Sequence, residues 1–530
     1  MDNRNINIYD IPADKFKLAN RSDSLHDKKL ETKPLTYFQD AFRRFCKNKG
    51  AVVGGVVISL LVLFAIIAPL FTPFEPAYND QMFAFATPKS ELFVDSGLDF
   101  WDGYKVKKDA NYITYMKDYA LALETGKDVI KRSEYTVNED GLYTYRFDTY
   151  GGVGFGKYRT VSPEEYADIQ RYQDETGKQV IYPTVKSSDR PTKEKNKYDA
   201  NIYYVVENLD ENTIRPQLDE NGNIQTNYWT YEEGNLPALA ADYNSLRIEG
   251  ENGFEQDGTT HYYAYGRKVD GGIEIRADYY EYYIYKHTQV AKDGIEKPLF
   301  LFGTTSTGKD IFACLGYGAR FSFIFAIIVA VTNLVVGVIW GSISGYYGGK
   351  IDMAMERFCE ILGAVPTMIV ITLLKYHMGS SSQAIVLFIA FFATGWIGMA
   401  GRTRMQFYRF KNQEYVLTAR TLGARDRRIM FKHIFPNAIG TLVTSCALII
   451  PSMIYSETSL SYLGIINLES GNTTSVGTLI AAGQASITKE GAGYIAFFPC
   501  LFLVLLMLSF NLFGNGLRDA FNPSLRGTEE

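Results

Sequence analysis

Residues 412–438 read NQEYVLTARTLGARDRRIMFKHIFPNA, and this basic stretch lies between two long apolar segments. Loops that are rich in Lys and Arg and connect membrane spans lie on the cytoplasmic side. Glu414 opens a helical turn, and Gly423 stands where that helix would stop and the chain would reverse. A second short helix is predicted from about residue 426 to 435, before Pro436 marks the next apolar run. The stretch therefore predicts a structured cytoplasmic loop in a protein with several membrane spans.

The order of a Glu, a small residue, a Gly and then Ile and Pro-Asn resembles the E-A-A loop of the membrane subunits of ABC importers. In that family the loop is the coupling helix, which sits in a groove of a separate ATPase subunit. Such a helix needs small residues for close approach and cations that pair with acidic groups. The resemblance implies that the ATPase is contacted by Glu414, Ala419, Arg420, Gly423, Ala424 and Arg425. The alternative is a basic helix resting on anionic lipid head groups, which needs charge but not this ordered spacing.

Charge is distributed unevenly along the chain. The 530 residues have a formal net charge of −5, but residues 72–300 carry about −14 and the remainder about +9. An acidic outer region and a basic inner remainder are expected for an oriented membrane protein. The five Cys residues lie in or beside apolar segments, so the acidic region folds without disulfides, and metal-ligand spacing is absent. Neither a metal, a cofactor nor nucleic acid is expected as a partner.

Six apolar segments are long enough to cross a bilayer. The first, residues 51–71, follows an amphipathic helix at residues 38–49 whose aromatic face should contact membrane lipid along the inner surface. Six spans place both termini in the cytoplasm, together with most Lys and Arg residues of the connecting loops. Pro366 and Pro451 predict kinks in their helices. The kinked helices either line a translocation path or are bent only to pack against their neighbours. The other predicted spans are residues 321–344, 358–376, 384–401, 439–456 and 494–513.

The predicted fold class is an α-helical multi-pass membrane protein with an inserted extracellular β or α+β domain. Turn residues separate short aromatic runs in the acidic region, which indicates strands. The runs are residues 143–147, 202–206, 228–231 and 279–285, and the turns are residues 139–141, 220–222 and 257–258. Asp219 to Gly222 also invite a calcium-loop interpretation, but the later ligands of an EF-hand are missing and a hairpin turn is favoured. The many tyrosines either stack on a sugar or peptide or pack as half-buried strand residues, which is the commoner use.

The domain organisation follows from these patterns. A cytoplasmic tail with the amphipathic helix, the first span and an extracellular domain with a pre-span segment are followed by the transmembrane core and a second tail. Their predicted bounds are residues 1–50, 51–71, 72–316, 317–520 (with the loop at 412–438) and 521–530.

Residues 303–309 have the spacing of a phosphate-binding P-loop, but Asp310 replaces the Ser or Thr that would coordinate magnesium. The predicted topology also places the segment outside the cell, where there is no ATP. The segment instead resembles G-T-D-x-x-G-R-D, which precedes the second helix of oligopeptide and dipeptide importer permeases. Thr305 and Lys309 depart from that pattern, replacing Asp and Arg.

Further stretches resemble the OppC/DppC type of peptide-importer permease in order along the chain. They are GYYGGK at residues 345–350 with Arg357 and Pro366, then Trp396, Arg402 and Arg404, LSYLG at residues 460–464 and NLFGNGLRDA at residues 511–520. The resemblance covers about residues 36–72 and 300–526; ordinary members have only a short loop between these parts.

The resemblance implies the permease fold of a type I ABC importer in the plasma membrane. Such a subunit pairs with a second homologous permease, two ABC ATPase subunits and an extracellular peptide-binding lipoprotein. Its cargo is peptide, and ATP hydrolysis belongs to the partner ATPases, so this chain is not an enzyme and has no catalytic residues.

The large insertion is expected to dock the lipoprotein, because it follows the first span on the outer face, where such a partner must deliver its peptide. Its acidity would favour a basic partner surface. The alternatives are a passive spacer or a domain that contacts cell-wall material. Absence of disulfides and the long outer domain suggest a Gram-positive bacterium.

Other functions remain open at this stage. A membrane-anchored receptor acting through its outer domain needs one or two spans, whereas this chain has five spans after that domain. The same architecture also imports other solutes, such as nickel or a signalling peptide. Nickel favours His, yet only His377 and His433 lie in the membrane part. An ion-driven transporter is disfavoured because the spans carry few acidic residues that relay protons.

Overall fold

A computed structural model describes residues 37–94, 101–154, 158–182, 202–204, 206–210, 213–216, 226–228, 267–379 and 382–521. Its helices are α1 (Tyr37–Lys47), α2 (Lys49–Phe71), α3 (Glu91–Val94), α4 (Tyr112–Thr125), α5 (Pro163–Thr176), α6 (Tyr279–Tyr285), α7 (Ile311–Tyr347), α8 (Gly349–Gly363), α9 (Thr367–His377), α10 (Gln383–Phe410), α11 (Glu414–Thr421), α12 (Asp426–Arg428), α13 (Phe435–Tyr462), α14 (Val476–Ser486) and α15 (Tyr494–Phe521). Its strands are β1 (Tyr104–Ala110), β2 (Ile130–Val137), β3 (Tyr143–Asp148), β4 (Tyr158–Val161), β5 (Ile181–Tyr182), β6 (Ile202–Tyr204), β7 (Val206–Asp210), β8 (Thr213–Pro216), β9 (Thr226–Tyr228), β10 (Arg267–Val269) and β11 (Gly272–Ala277).

The bundle of long apolar helices is the predicted membrane core. Among the described residues, five helices are long and apolar enough to cross a membrane, and a bent pair of shorter helices brings the total to six. The long helices are α2, α7, α10, α13 (continued at its N-terminal end by α12 and a π-helical turn) and α15. Each contains a predicted span, and α7 and α10 extend beyond it because their flanking polar turns stay helical.

The first two helices separate at Asn48. Its backbone is extended, and its side-chain oxygen accepts a hydrogen bond from the Ala51 amide at 3.2 Å, which caps α2. The ring of Phe45 in α1 packs edge-on against Phe513 of α15, 5.2 Å between centroids. The predicted amphipathic helix and first span are therefore separate helices, both held against α15.

Helices α8 and α9 replace the single span predicted over residues 358–376. The chain breaks between them, and the two axes are bent by 69°. Pro366 lacks an amide donor and has extended backbone (ψ 127°), so the α8 hydrogen-bond pattern cannot continue through it. Pro451, by contrast, lies within the uninterrupted α13. The predicted kink at Pro366 is therefore a complete break.

Helices α7 and α10 make close backbone contact through three glycines of α7 spaced four residues apart. A Cβ on Gly341 would lie 2.2 Å from the backbone oxygen of Ala400. A Cβ on Gly337 would lie 2.7 Å from the Met399 Cβ, and one on Gly345 would lie 2.7 Å from the Phe407 Cβ. Small residues of this kind allow close packing of membrane helices.

Substitution of Gly341 by Ala should lower the thermal stability of the purified chain. The added methyl group meets backbone, which cannot move aside without separating α7 from α10, and overpacking of this kind costs about 1–3 kcal/mol. Gly398→Ala in α10 is the matched control, because a Cβ there meets nothing within 4 Å. Equal melting temperatures of the two variants in detergent would contradict this packing.

The inserted region (residues 72–310) links α2 to α7 and contains both helices and strands. One sheet has the antiparallel order β1-β3-β2. A second has the order β10-β11-β4, with β5 also paired to β11. Two short pairs, β6 with β9 and β7 with β8, complete the described strands. The described part is thus α+β, and tyrosines such as Tyr145, Tyr150 and Tyr166 are buried in its two cores.

Residues 279–285 form helix α6 and not the strand predicted from their clustered tyrosines. The Asp278 side chain accepts a hydrogen bond from the Tyr280 amide at 3.0 Å and caps the helix. Tyr279, Tyr282 and Tyr283 are buried at helical spacing. A short run of aromatic residues is therefore compatible with a helix as well as with a strand.

The other predictions for the inserted region have mixed outcomes. Strand 143–147 is present as β3, and the turn at residues 139–141 connects β2 to β3 with Gly141 at φ +75°. The predicted strand at residues 202–206 corresponds to β6 and the start of β7, and β9 ends at Tyr228. The turns at 220–222 and 257–258, the calcium-loop segment and residues 229–231 lie outside the described residues.

The inserted region rests directly on the helix bundle. The ring of Phe302 stacks on Phe498 of α15 with 4.1 Å between centroids and 7° between planes. The Tyr494 hydroxyl donates a hydrogen bond to the Thr304 carbonyl at 3.1 Å, and Lys309 forms an ion pair with Glu469. These contacts fix the region over the end of the bundle that holds the α14–α15 connection.

Candidate functional site

The basic loop (residues 411–434) projects from one end of the bundle between α10 and α13. Helix α11 starts at Glu414, as predicted, and the chain reverses at Gly423, which has φ +78°. The Gly423 amide donates to the Arg420 carbonyl and the Ala424 amide to the Ala419 carbonyl, each at 3.0 Å. This turn closes the end of α11, and Gly is favoured because its φ is positive.

The second part of the loop differs from the prediction. Only residues 426–428 form an α-helical turn, and a π-helical turn over residues 429–434 then leads without a break into α13. Pro436 does not end a helix; it lies in the first turn of α13, where its missing amide is not needed. The loop is therefore a direct extension of a membrane helix.

An apolar cluster fixes α11 to the rest of the bundle. Val416, Ile429 and Ile434 are fully buried, and they pack with Phe407 of α10 and Tyr346 of α7. Burying side chains of this size stabilises the contact by about 1.5–3 kcal/mol each. Helix α11 is thus attached to the ends of three membrane helices and cannot move independently of them.

Polar contacts reinforce that attachment. The Tyr346 hydroxyl donates a hydrogen bond to Asp426 at 2.5 Å, and the Arg420 guanidinium donates to the Tyr346 hydroxyl at 3.4 Å. Asn437 donates to the Tyr415 hydroxyl at 3.3 Å, and partial burial raises the pKa of Tyr415. The network joins the end of α7 to both halves of the basic loop.

The six residues predicted to contact an ATPase lie together on the loop. Glu414, Arg420, Gly423 and Arg425 are exposed, and Ala419 and Ala424 are half-buried. Leu422 is 82% exposed although it is apolar. Sequence reasoning passed over Tyr346 and Asp426, which anchor the loop from inside; the GYYGG motif was the only signal for Tyr346.

A bidentate ion pair connects α8 to α10 close to the basic loop. Arg404 donates to the two carboxylate oxygens of Asp352 at 2.6 and 2.8 Å. The Tyr408 hydroxyl donates to the same carboxylate at 2.5 Å, and the Ser344 hydroxyl of α7 donates to it as well. Asp352 is only 6% exposed, and the hydrogen bonds from these three side chains compensate the charge of its carboxylate. Arg404 was part of a motif, whereas Asp352 was missed.

A groove of about 330 Å³ opens between α9, α10 and α13. Its walls combine apolar side chains with hydroxyl groups. The lining residues are Thr367, Met368, Ile371, Phe391, Thr394, Gly395, Met453, Tyr455, Ser456, Ser459 and Leu460. Behind Gly395 lies Asn333 of α7, which is 1% exposed and whose amide atoms have no hydrogen-bond partner among the described residues.

A second, more polar cavity of about 430 Å³ lies at the N-terminal end of α10. It is bordered by the loop that follows α13. Its walls include Ser382, Gln383, Asn467, Glu469, Ser470 and Thr473. One apolar cluster, to which Phe391, Leu460 and Leu468 belong, contributes walls to both cavities.

A buried carboxyl group connects helices α7, α13 and α14. Glu457 of α13 is 1% exposed and accepts hydrogen bonds from Ser322 of α7 at 3.1 Å and Ser461 at 3.2 Å. Ser475, which caps α14, also bonds to it. No cation lies within 4 Å of Glu457 in the described part of the chain. The hydroxyl groups make it a cross-link between helices, and sequence reasoning did not identify it.

The segment 303–309 does not have the structure of a P-loop. Asp310 caps α7 by accepting a hydrogen bond from the Phe312 amide at 3.0 Å, and Thr304 is fully buried. A Cβ on Gly308 would lie 1.8 Å from the Asp80 carbonyl oxygen, so chain already fills the space beside it. Within the described residues no group of His, Cys, Asp and Glu is arranged to hold a metal ion.

Comparison with known proteins places the two ends of the chain in one class. The family "Binding-protein-dependent transport system inner membrane component" matches residues 337–527, and "N-terminal TM domain of oligopeptide transport permease C" matches residues 36–88. The two matches leave residues 89–336 between them, which include most of the inserted region.

Similar proteins include two from Bacillus subtilis strain 168. Its oligopeptide transport system permease protein OppC is 43% identical over 225 residues, which are 42% of this chain and 72% of that protein. Its dipeptide transport system permease protein DppC is 38% identical over 225 residues, covering 42% of this chain and 69% of that protein. A solved structure of the MetNI methionine ABC transporter in inward-facing conformations aligns with 39% of this chain and 94% of that chain, at 13% identity and a TM-score of 0.31.

Proposed function

This chain belongs to the family of OppC/DppC-type permeases, the inner-membrane components of binding-protein-dependent transport systems, and from that premise we propose that it imports peptides as one half of an ATP-driven transporter. The observation that carries the proposal is the 43% identity to an oligopeptide permease, 72% of whose length aligns with this chain. The permease itself performs no chemistry; it supplies a path and a mechanical connection, and ATP is hydrolysed by partner subunits.

Helix α11 is proposed as the contact with an ATPase subunit. Glu414 and Arg420 are exposed on α11, and Arg425 is exposed on the turn that follows it. The half-buried Ala419 and Ala424 and the exposed Gly423 leave room for close approach of a partner. Arginines suit acidic groups on such a partner because their guanidinium groups bind carboxylates in two places at once. The density of Lys and Arg supports a cytoplasmic position for the loop and for both chain termini.

The anchoring contacts explain how closure of the ATPases would reach the membrane helices. Val416 and the Tyr346–Asp426 hydrogen bond attach the two halves of the basic loop to α7, α10 and α13, so displacement of the loop tilts helices as rigid bodies. The π-helical turn at residues 429–434 carries the motion directly into α13. Because α13 and α10 both line the groove, that motion changes its width.

The groove is proposed as part of the peptide path. Peptides vary in side chain but share a backbone with donors and acceptors, so a path should combine apolar walls with hydroxyl groups. Thr394, Ser456 and Ser459 supply hydroxyl groups, and Met368, Met453 and Leu460 supply adaptable apolar surface. The shared apolar cluster would separate this groove from the polar cavity beside Glu469 until the helices move.

The inserted region is proposed to receive an extracellular peptide-binding lipoprotein, in a complex completed by a second permease and two ATPase subunits. It lies at the end of the bundle opposite the basic loop, next to the polar cavity. Its net charge of about −14 over residues 72–300 suits a basic partner surface. Lack of disulfides is compatible with a Gram-positive bacterium.

Peptide-stimulated ATP hydrolysis tests the proposal. The chain should co-purify with ATPase subunits, and in membrane vesicles the complex should hydrolyse ATP faster when peptide-loaded lipoprotein is added. Stimulation should weaken as salt increases, because charge complementarity is screened. Lipoprotein loaded with nickel in place of peptide is the control. Hydrolysis that ignores peptide and responds to the nickel control would contradict peptide import.

A further inference from the structure

Exposed apolar side chains are concentrated at one corner of the inserted region. Leu92 in α3 is 84% exposed. Leu299 and Leu301 are each 37% exposed, while Phe300 between them is fully buried, so the two leucines face away from the core. The two segments are neighbours, because the Lys89 amide donates a hydrogen bond to the Phe300 carbonyl at 3.1 Å. Exposed leucines in a contiguous group indicate a binding surface.

Trp101 connects this corner to the membrane helices. Its ring stacks on Phe93 with 5.8 Å between centroids and lies 5.9 Å from Phe498 in α15. Its indole N–H donates to the Leu301 carbonyl, so the polar atom is satisfied, and the half-buried ring also lies 6.5 Å from Phe302. Tryptophan with this arrangement is typical of the interface between lipid and water.

The neighbouring membrane helices indicate where the bilayer surface lies. Beside Phe498, Phe497 is 57% exposed and Leu501 is 42% exposed on α15. At the end of α2, Leu70 is 75% exposed and Phe71 is 79% exposed. In a membrane-spanning chain these faces meet lipid, so the bilayer reaches at least to the level of Phe498. The corner of the inserted region therefore continues the lipid-facing surface.

We propose that the interfacial patch (Leu92, Phe93, Trp101, Leu299 and Leu301) inserts into the adjacent leaflet and binds phospholipid. The exposed ion pair between Glu91 and Lys297, 2.9 Å apart, lies next to the apolar residues, where lipid head groups accommodate charge. This contact is independent of the cargo. It holds the inserted region against the membrane and so fixes the angle at which it presents its surface to a partner.

Quenching of tryptophan fluorescence tests the lipid contact. The full chain is reconstituted in vesicles of phosphatidylcholine and phosphatidylglycerol whose acyl chains carry bromine near the head group. The chain has four Trp residues, so the emission of Trp101 is obtained as the difference between wild type and Trp101→Phe. That component should lose most of its intensity in brominated lipid and little to aqueous iodide. Trp396→Phe is the control, since Trp396 is 6% exposed within the bundle.

A second pair of variants separates lipid contact from simple proximity. Leu92→Asp should reduce the bromine quenching of Trp101, because a charge at that corner opposes insertion. Val137→Asp adds the same charge at a residue that is 47% exposed on the far strand of the β1-β3-β2 sheet, and should leave quenching unchanged. Quenching of Trp101 by iodide would overturn the proposal, because it would show that the ring is exposed to water. Protection from both quenchers would overturn it in favour of a protein contact.

Discussion

Leu422→Asp should reduce the affinity of the chain for its ATPase subunits by roughly tenfold or more. Leu422 follows α11 and is 82% exposed, although its neighbours on the loop are mostly polar or charged. An exposed leucine at the tip of a rigid loop is suited to fill an apolar pocket on a partner, and a carboxylate there loses that contact and must be desolvated. Co-purification measured at several ATPase concentrations gives the affinity, and peptide uptake should fall with it.

Leu422→Met provides the matched control, because methionine keeps the apolar volume and should retain near-normal binding. The residue has no buried contacts to lose, so both variants should melt at the wild-type temperature. Equal retention of ATPase by Leu422→Asp and Leu422→Met would show that the loop tip is not the contact. Loss of thermal stability in the Asp variant would mean that Leu422 packs within the chain and not against a partner.

Local features of the chain were predictable from sequence because they depend on neighbouring residues. Uninterrupted apolar runs predicted five of the six spans, the chain reverses at Gly423, and Glu414 begins α11 as expected. The family resemblance was carried by motifs on both sides of the inserted region, where the family models also match. The ATPase-contact residues remain proposals: four of the six are exposed and two are half-buried.

Contacts between distant segments were not predictable, because no local pattern specifies them. Tyr346 meets Asp426 across 80 residues, and Glu457 meets Ser322 across 135. The break at Pro366 does not follow from the presence of a proline alone, since Pro451 leaves α13 intact. In the inserted region, the tyrosine run at residues 279–285 fits a strand or a helix, and the capping Asp278 decides for the helix.

Asp352→Ala should destabilise the chain by about 2–3 kcal/mol, which is less than a fully buried pair would lose, because the Arg404 side chain is 29% exposed. The substitution removes the acceptor for Arg404, Tyr408 and Ser344 at once. The Arg404 guanidinium between α8 and α10 then keeps only its longer ion pair with Glu356, at 3.7 Å. The free energy of unfolding in mixed detergent micelles measures the loss.

Two comparisons decide whether that loss reflects the buried pair. Arg357→Ala breaks an ion pair with Glu360 whose side chains are 72% and 52% exposed, and it should cost at most about 0.5 kcal/mol. Combining Asp352→Ala with Arg404→Met removes the cation that has lost its bidentate partner and should restore part of the stability, because an apolar side chain fills the site without desolvating a cation. The double variant could instead be less stable than Asp352→Ala by the full cost of a second independent substitution. The two residues would then not act as a pair, and packing around Trp396 and Cys359 would hold α8 to α10.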